Sequence, residues 1–188
     1  MKSQHEFLKE VLGFLRRCGI EHMLVGSVAA SFHGRPRATQ DIDVVIEGDL
    51  PRVAELVRLC TERGYYADPI DAEEAVRLRS LFNVVDPTSG HKLDLIVRKD
   101  RPFSEEEFAR RRAVFLLDVQ AFVATAEDVI LAKLEWARES RSERQYQDAL
   151  GIVLVQGQSL DLEYLRRWAG SLGIRADLER LLREREKP

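Results

Sequence analysis

Cysteine is scarce in this chain of 188 residues, long apolar runs are missing, and positive charge is not in surplus. The two cysteines, Cys18 and Cys60, fit no metal-ligand or redox spacing. That argues against a disulfide framework or a thiolate zinc site, and for idle thiols in a reducing compartment. No apolar stretch is long enough to cross a bilayer, and Met1 leads into the polar run Lys2-Ser3-Gln4-His5 rather than an apolar signal core. A cytoplasmic protein without a membrane partner is the expectation. Acids outnumber bases 32 to 29, a net charge of −3, which excludes a bulk polyanion binder and leaves room only for a local basic groove. Internal repeats and low-complexity tracts are also absent.

What is present is an ordinary globular balance, 45% hydrophobic and 32% charged, in a chain long enough for one well-buried core with a modest extra lobe. Ser3 and Glu6 have capping-box spacing, and Phe7, Leu8, Val11, Leu12, Phe14 and Leu15 follow at helical intervals up to Gly19. A short strand, His22 to Val25, ends at Gly26-Ser27 and opens a short helix to His33. After the basic loop Arg35 to Thr39 comes a second strand, Asp41 to Ile46, and then a helix started by Pro51. Residues 81–97 read as a hairpin around Asp86 to Gly90, Ser104 to Arg112 as a helix, and Val114 to Leu117 and Phe122-Val123 as short strands. Beyond Thr125 the pattern is helical, broken near Ser140 to Ser142, Gly157 to Ser159 and Gly170 to Gly173. The expected fold class is α+β: a mixed sheet flanked by helices over 1–124, with a helical region over 125–188 packed on it.

Three features of the first half carry chemistry. Gly26 at a strand end lets backbone N–H groups approach a ligand, and the helix it opens favours an anion at its N-terminus. Asp41 and Asp43 are two apart on a strand, so both carboxylates face one side while Ile42, Val44 and Ile46 face the other. Two such acids repel unless a cation sits between them, and a phosphoryl-transfer site uses such a pair to hold divalent ions about 3.5–4 Å apart. Asp94 is again an acid inside an apolar strand and needs either a metal or a cation of the protein. Lys92 shares its face, so an ion pair of purely structural meaning stands beside the metal reading.

Residues 25 to 46, V-G-S-V-A-A-S-F-H-G-R-P-R-A-T-Q-D-I-D-V-V-I, closely resemble the signature of the DNA-polymerase-β-like nucleotidyltransferase superfamily. The Arg37-x-Thr39-x-Asp41-x-Asp43 variant looks most like the AbiEii-type branch, which includes toxins of toxin–antitoxin pairs. That branch's later motifs have counterparts in Lys133, within a helix, and Asp148, within the next; the resemblance spans residues 22 to 150. It implies transfer of a nucleoside monophosphate from a nucleoside triphosphate (NTP) to a hydroxyl of RNA, a protein or a small molecule. Two Mg²⁺ or Mn²⁺ ions would be held by Asp41, Asp43 and Asp94, with Asp94 also activating the attacking hydroxyl. Gly26, Ser27, Arg37, Thr39, Lys133 and Asp148 would bind the nucleotide, Lys133 serving catalysis too. tRNA or a protein as acceptor and a cognate antitoxin are the partners it implies. A catalytically silent nucleotide-binding or partner-binding module of the same fold is the alternative.

On one continuous helix Lys133 and Asp148 would stand about 22 Å apart, whereas a break at Ser140 to Ser142 lets two helices fold into a hairpin and brings them level. Among other residues, His33 and His91 make a poor zinc case without a third ligand. Trp136 and Trp168 sit at helical spacing among Leu and Ala and are expected in the core. Arg110 to Arg112 reads as a solvated helix end or one wall of a groove. Together with Arg35, Arg37, Arg138, Arg141 and Arg144, it suggests a rim for a polyanionic acceptor.

Overall fold

The computed structural model describes residues 2–116 and 119–185. Helix α1 (Gln4–Arg17) has the expected capping box, Ser3 with Glu6, and buries Phe7, Leu8, Val11, Leu12 and Leu15. Strand β1 (Glu21–Leu24) is followed by α2 (Gly26–His33) and β2 (Asp41–Glu47). In α3 (Leu50–Glu62), Asp49 caps the N-terminus and Pro51 occupies the first turn, where its missing N–H costs nothing. Then come α4 (Pro69–Leu78), β3 (Leu81–Val85), β4 (Lys92–Val97), α5 (Pro102–Ala109), β5 (Arg112–Leu116) and β6 (Val119–Val123). The last four helices are α6 (Ala126–Ser140), α7 (Glu143–Gln156), α8 (Leu162–Ser171) and α9 (Arg175–Arg185). The fold class is α+β, as expected, and no helix among the described residues is long and apolar enough to cross a membrane.

Two compact units emerge, Met1–Val25 with Thr39–Val123, and Gly26–Ala38 with Ala124–Pro188. The segment Gly26–Ala38, which a division at residue 124 leaves with the sheet, thus belongs to the helical unit. The sheet unit is a six-stranded mixed sheet in the order β3-β4-β2-β1-β6-β5. β2 runs parallel to β4 and antiparallel to β1, and β3 and β4 form the expected hairpin. One face is a closed apolar layer: Ile42, Val44 and Ile46, then Leu93, Leu95 and Val97, then Phe82 and Val84, none more than 2% exposed. Strict alternation along each strand sends the intervening polar residues to the other face.

In the helical unit, α6 and α7 form a hairpin, with α2 and α9 against α7 and α8 against α6. Arg141 takes the left-handed cap conformation (φ 53°), and Ser142 caps α7 by accepting from Gln145 N–H. The break at Ser140 to Ser142 is therefore a real turn. Gly34 is held at close range: a Cβ there would meet Ile152 N at 2.8 Å and Gly151 C at 3.0 Å, so only glycine lets this loop lie on α7.

Two expectations about elements need correction. Helix α4 has no counterpart in the sequence reading, because its buried face is only Ala72 and Ala75 and gives a weak periodic signal. The helix expected from Ser104 to Arg112 runs from Pro102 and stops at Ala109, and Arg112 already pairs with Val123 in the β5–β6 hairpin. Of the strand expected over Val114 to Leu117, Leu117 lies outside the described residues.

Candidate active site

The sheet unit assembles the acids by register. In the β2–β4 ladder Asp41 is paired with Lys92 and Asp43 with Asp94, while in the β3–β4 ladder Asn83 is paired with Asp94. Asp43, Asp94 and Asn83 therefore form a row across three adjacent strands, each step about 4.8 Å. All stand on the face opposite the apolar layer. Asn83 Nδ2 donates to Asp94 Oδ1 at 2.6 Å, and Lys92 Nζ donates to Asp94 Oδ2 at 3.1 Å and lies 3.8 Å from Asp41 Oδ1. The hydrogen bond to Asp94, followed by the charges of Asp94, Asp41 and Asp43, raises the Lys92 ammonium above its ordinary value.

Both readings of Asp94 thus meet in one place: it has a protein cation, and it stands beside a second carboxylate. The donor type and the shared face fit a hard divalent ion. Among the described residues, however, no group of three or more His, Cys, Asp or Glu side chains converges as a metal site. Thr39 braces the start of β2: its hydroxyl donates to Asp41 O at 3.1 Å, and its own carbonyl accepts from Gln4 Nε2. Val25 N–H donates to Asp43 O at 3.0 Å, fixing the end of β1 beside Asp43.

The helical unit holds the other half of the expected set. Gly26 has φ 60°, a conformation that side-chain-bearing residues adopt rarely, and it starts α2. Lys133 and Asp148 meet across the α6–α7 hairpin: Lys133 Nζ is 2.8 Å from Asp148 Oδ2 and 2.6 Å from Gln145 Oε1. Their side chains are only 5% and 9% exposed, so neither is a solvated surface charge. Arg37 completes a fork, donating from Nε and Nη2 to the two Asp148 oxygens at 2.8 Å each. The same Nη2 donates to Ser27 Oγ at 2.6 Å.

Burial works to raise the Asp148 carboxyl, but the hydrogen bonds from Arg37 and Lys133 outweigh it and hold the group below its usual value. Arg37 is raised in turn by its bond to Asp148. Gln145 is a member of this network that sequence reasoning missed; its position three residues before Asp148, on the same helix face, was the available signal. Beside it, Ala30, Arg35, Arg37, Asp148, Gly151 and Leu154 line a concavity of about 220 Å³.

Several minor expectations resolve at this level. Trp136 is 59% exposed, not a core residue, because it sits on the face of α6 turned away from the packed helices. Arg111 is no groove wall: its guanidinium stacks on Phe108 and Phe122 and bonds Phe108 O and Glu21. Of the arginines expected around the helical break, Arg138 and Arg141 line a second concavity of about 190 Å³ with Arg180, Tyr146, Glu143 and Asp177, whereas Arg144 does not line it. His33 Nε2 is taken up by Ala124 O at 2.7 Å and His91 Nε2 by Lys2 O at 3.2 Å. Burial pushes the Cys60 thiol up to about 12, leaving it unreactive.

No protein-family model matches this chain, and no curated protein matches it. Solved structures do. The antibiotic-resistance factor ANT(2'')-Ia in solution is 14% identical, with a TM-score of 0.61 over 96% of this chain and 97% of that one. ANT(2'')-Ia crystallised with adenylyl-2''-tobramycin is 15% identical, with a TM-score of 0.58 over 93% and 99%. An antigenic nucleotidyltransferase-like protein from Paracoccidioides brasiliensis is 16% identical, with a TM-score of 0.54 over 94% and 91%. At these identities the likeness is one of architecture, and it covers nearly the whole chain: this protein has the nucleotidyltransferase fold.

Proposed function

We propose that this protein transfers a nucleoside monophosphate from an NTP to a hydroxyl group, using divalent metal. The observation that carries the reading is the placement of Asp41, Asp43 and Asp94 on one face of two adjacent parallel strands, in a nucleotidyltransferase fold. Asp41, Asp43 and Asp94 would hold Mg²⁺ or Mn²⁺, which supplies charge neutralisation for the triphosphate and polarises the reacting phosphate. The acceptor oxygen bonds to the α-phosphorus, the bond from that phosphorus to the bridging oxygen breaks, and pyrophosphate leaves. Asp94 takes the hydroxyl proton. Ser27 Oγ accepts from Arg37 and so keeps its own proton for a phosphate oxygen. Lys133 and Arg37, both bonded to Asp148, are cations of the kind that contact a polyphosphate.

For the acceptor, the reading is a polyanionic macromolecule, RNA in the first place, and the chain is an AbiEii-like enzyme by its Arg37-x-Thr39-x-Asp41-x-Asp43 motif. The arginines lining the concavity at the α6–α7 turn support a polyanion over a cationic small molecule. The test is radiolabelled NTP with Mg²⁺ offered to total RNA, total cytosolic protein and an aminoglycoside panel. Label on RNA that falls steeply with added salt is expected. Label only on small molecules, at a rate indifferent to salt, overturns the acceptor assignment. The absence of any labelled product with all four NTPs overturns the transferase reading. A toxin role predicts growth arrest on expression, relieved by a cognate antitoxin.

A further inference from the structure

Asp94 has a second neighbour besides Lys92, and the β3–β4 ladder puts it there. Val97 N–H donates to Ser80 O at 2.8 Å, whereas Val85 exchanges backbone bonds with Tyr66, on the outer edge of β3, at 2.9 and 2.8 Å. An antiparallel ladder alternates pairs that exchange backbone bonds with pairs that do not, so the phase set at Ser80 and Val85 makes Asn83 and Asp94 a pair of the second kind. In such pairs the side chains come closest, with Cα atoms about 4.5 Å apart. On either side of Asn83, Phe82 and Val84 are only 2% and 0% exposed, so β3 cannot roll and the Asn83 side chain keeps to the face of the acids. There Asn83 Nδ2 donates to Asp94 Oδ1 at 2.6 Å.

We propose that Asn83 is a positioning residue for the transfer reaction: its amide fixes the rotation of the Asp94 carboxylate, so that Asp94 meets the ion and the acceptor hydroxyl in one orientation. The inference rests on the reading of Asp94 as a ligand of the divalent ion and the acceptor of the hydroxyl proton. The terminal torsion of an aspartate is soft, and a carboxylate held by charge alone turns freely. The two partners of Asp94 act on it differently. Lys92 Nζ lies 3.0 Å from Oδ1 and 3.1 Å from Oδ2, astride both oxygens, a compact charge with no plane of its own. The Asn83 amide is planar and is bonded to Oδ1, so it tells the two oxygens apart. An ionised carboxylate only accepts, so the nitrogen of the amide and not its oxygen must face it. That bond uses one of about four lone-pair directions of the carboxylate and leaves others for the ion and the proton. An aspartate at position 83 could not serve, because it would set a second carboxylate against Asp94 in the closest kind of cross-strand pair.

The first readout is independent of turnover. In the full-length, metal-free, ¹⁵N-labelled protein, the Asn83 side-chain NH₂ signal is identified by its loss in Asn83→Leu. One of its protons is expected downfield and slow to exchange with water, and back at the ordinary position in Asp94→Ala. The shift is expected to persist when Mg²⁺ and α,β-methylene NTP are added, since the contact has to hold in the loaded site. The second readout is transfer in a single turnover, divided by the number of sites that bind the analogue. Asn83→Leu, close to asparagine in size, should lose about 10- to 100-fold in rate per site, with the NTP concentration for half-maximal rate unchanged. Asn83→Ala serves in its place should Asn83→Leu not fold. An unshifted amide in the free protein, or one released when Mg²⁺ and the analogue bind, overturns the role of Asn83. A wild-type rate per site in Asn83→Leu does the same, since the amide then only supports the sheet, and so does a raised NTP requirement at an unchanged rate. All of these leave the transferase reading standing, because the wild type still transfers. A wild-type rate in Asp94→Asn, or no transfer by the wild type with any of the four NTPs, overturns that reading of Asp94 and the role of Asn83 together.

Discussion

The candidate side chains of the two units are held by different partners. On the sheet, Asp41 and Asp94 share Lys92; in the helical unit, Arg37 and Lys133 share Asp148. Their burial differs as well. Asp41 is 65% exposed, whereas Lys133 and Asp148 are almost sealed. A half-exposed acid that repels its neighbours contributes little to folding and can be specialised for binding a cation. A buried, fully bonded charge is part of the fold whether or not it also meets a substrate. The contrast separates what each residue's removal should do.

The largest effect is expected for Asp148→Ala, which leaves Arg37 and Lys133 in a partly dry site without their acid. Removing one partner of a buried ion pair costs about 3–5 kcal/mol, so chemical denaturation should show a large stability loss along with lost transfer. A wild-type melting curve would return Asp148 to the sheet-like class of replaceable acids. Next in size is Asp43→Asn, with transfer down by about 10²-fold or more and the fold retained, because the amide keeps the size and shape of the carboxylate. Steady-state rates and a thermal melt on the same preparation check it, and unfolding would break the comparison.

A smaller effect concerns pH. The folded Asp148 carboxyl is held below its unfolded value, so the stability it contributes is fully present above about pH 4 and is lost as pH falls through the depressed folded value. The difference in unfolding free energy between wild type and Asp148→Asn should stay flat from pH 8 to 5 and shrink only below about pH 4. A difference that disappears near neutrality would contradict the network. The smallest effect belongs to Trp136→Ala: a side chain 59% exposed should change stability by no more than about 0.5 kcal/mol, measured in urea.

The acids of the sheet were the more legible, because a strand has period two. Asp41-Ile42-Asp43 and Leu93-Asp94-Leu95 state in the sequence which side chains share a face, and the structure places them so. The hairpin of β3 and β4 was legible for the same reason. Helix α4 was not, since two alanines make a buried face that looks like any polar stretch. Trp136 misled because helical spacing says that a residue has a face, not which face is covered. Arg111 misled in the opposite direction: a guanidinium was read as solvated, yet it lies over two phenylalanine rings.

By itself the sequence determined the α+β class, the strand carrying two acids on one side, the glycine turn before α2, and the break that makes α6 and α7 a hairpin. Each follows from local rules, alternation, capping and the conformational freedom of glycine, acting over a few neighbouring residues. Only the tertiary structure decided that Asp43 stands beside Asp94 and Lys92 beside Asp41, because parallel register is set by the packing of the whole apolar face. Only it joined Ser27, Arg37, Lys133, Gln145 and Asp148 into one network, and drew Gly26–Ala38 into the helical unit. The reason is physical: a buried charge must find its partner wherever the fold brings one, and that choice is not written in the spacing of residues more than a hundred positions apart.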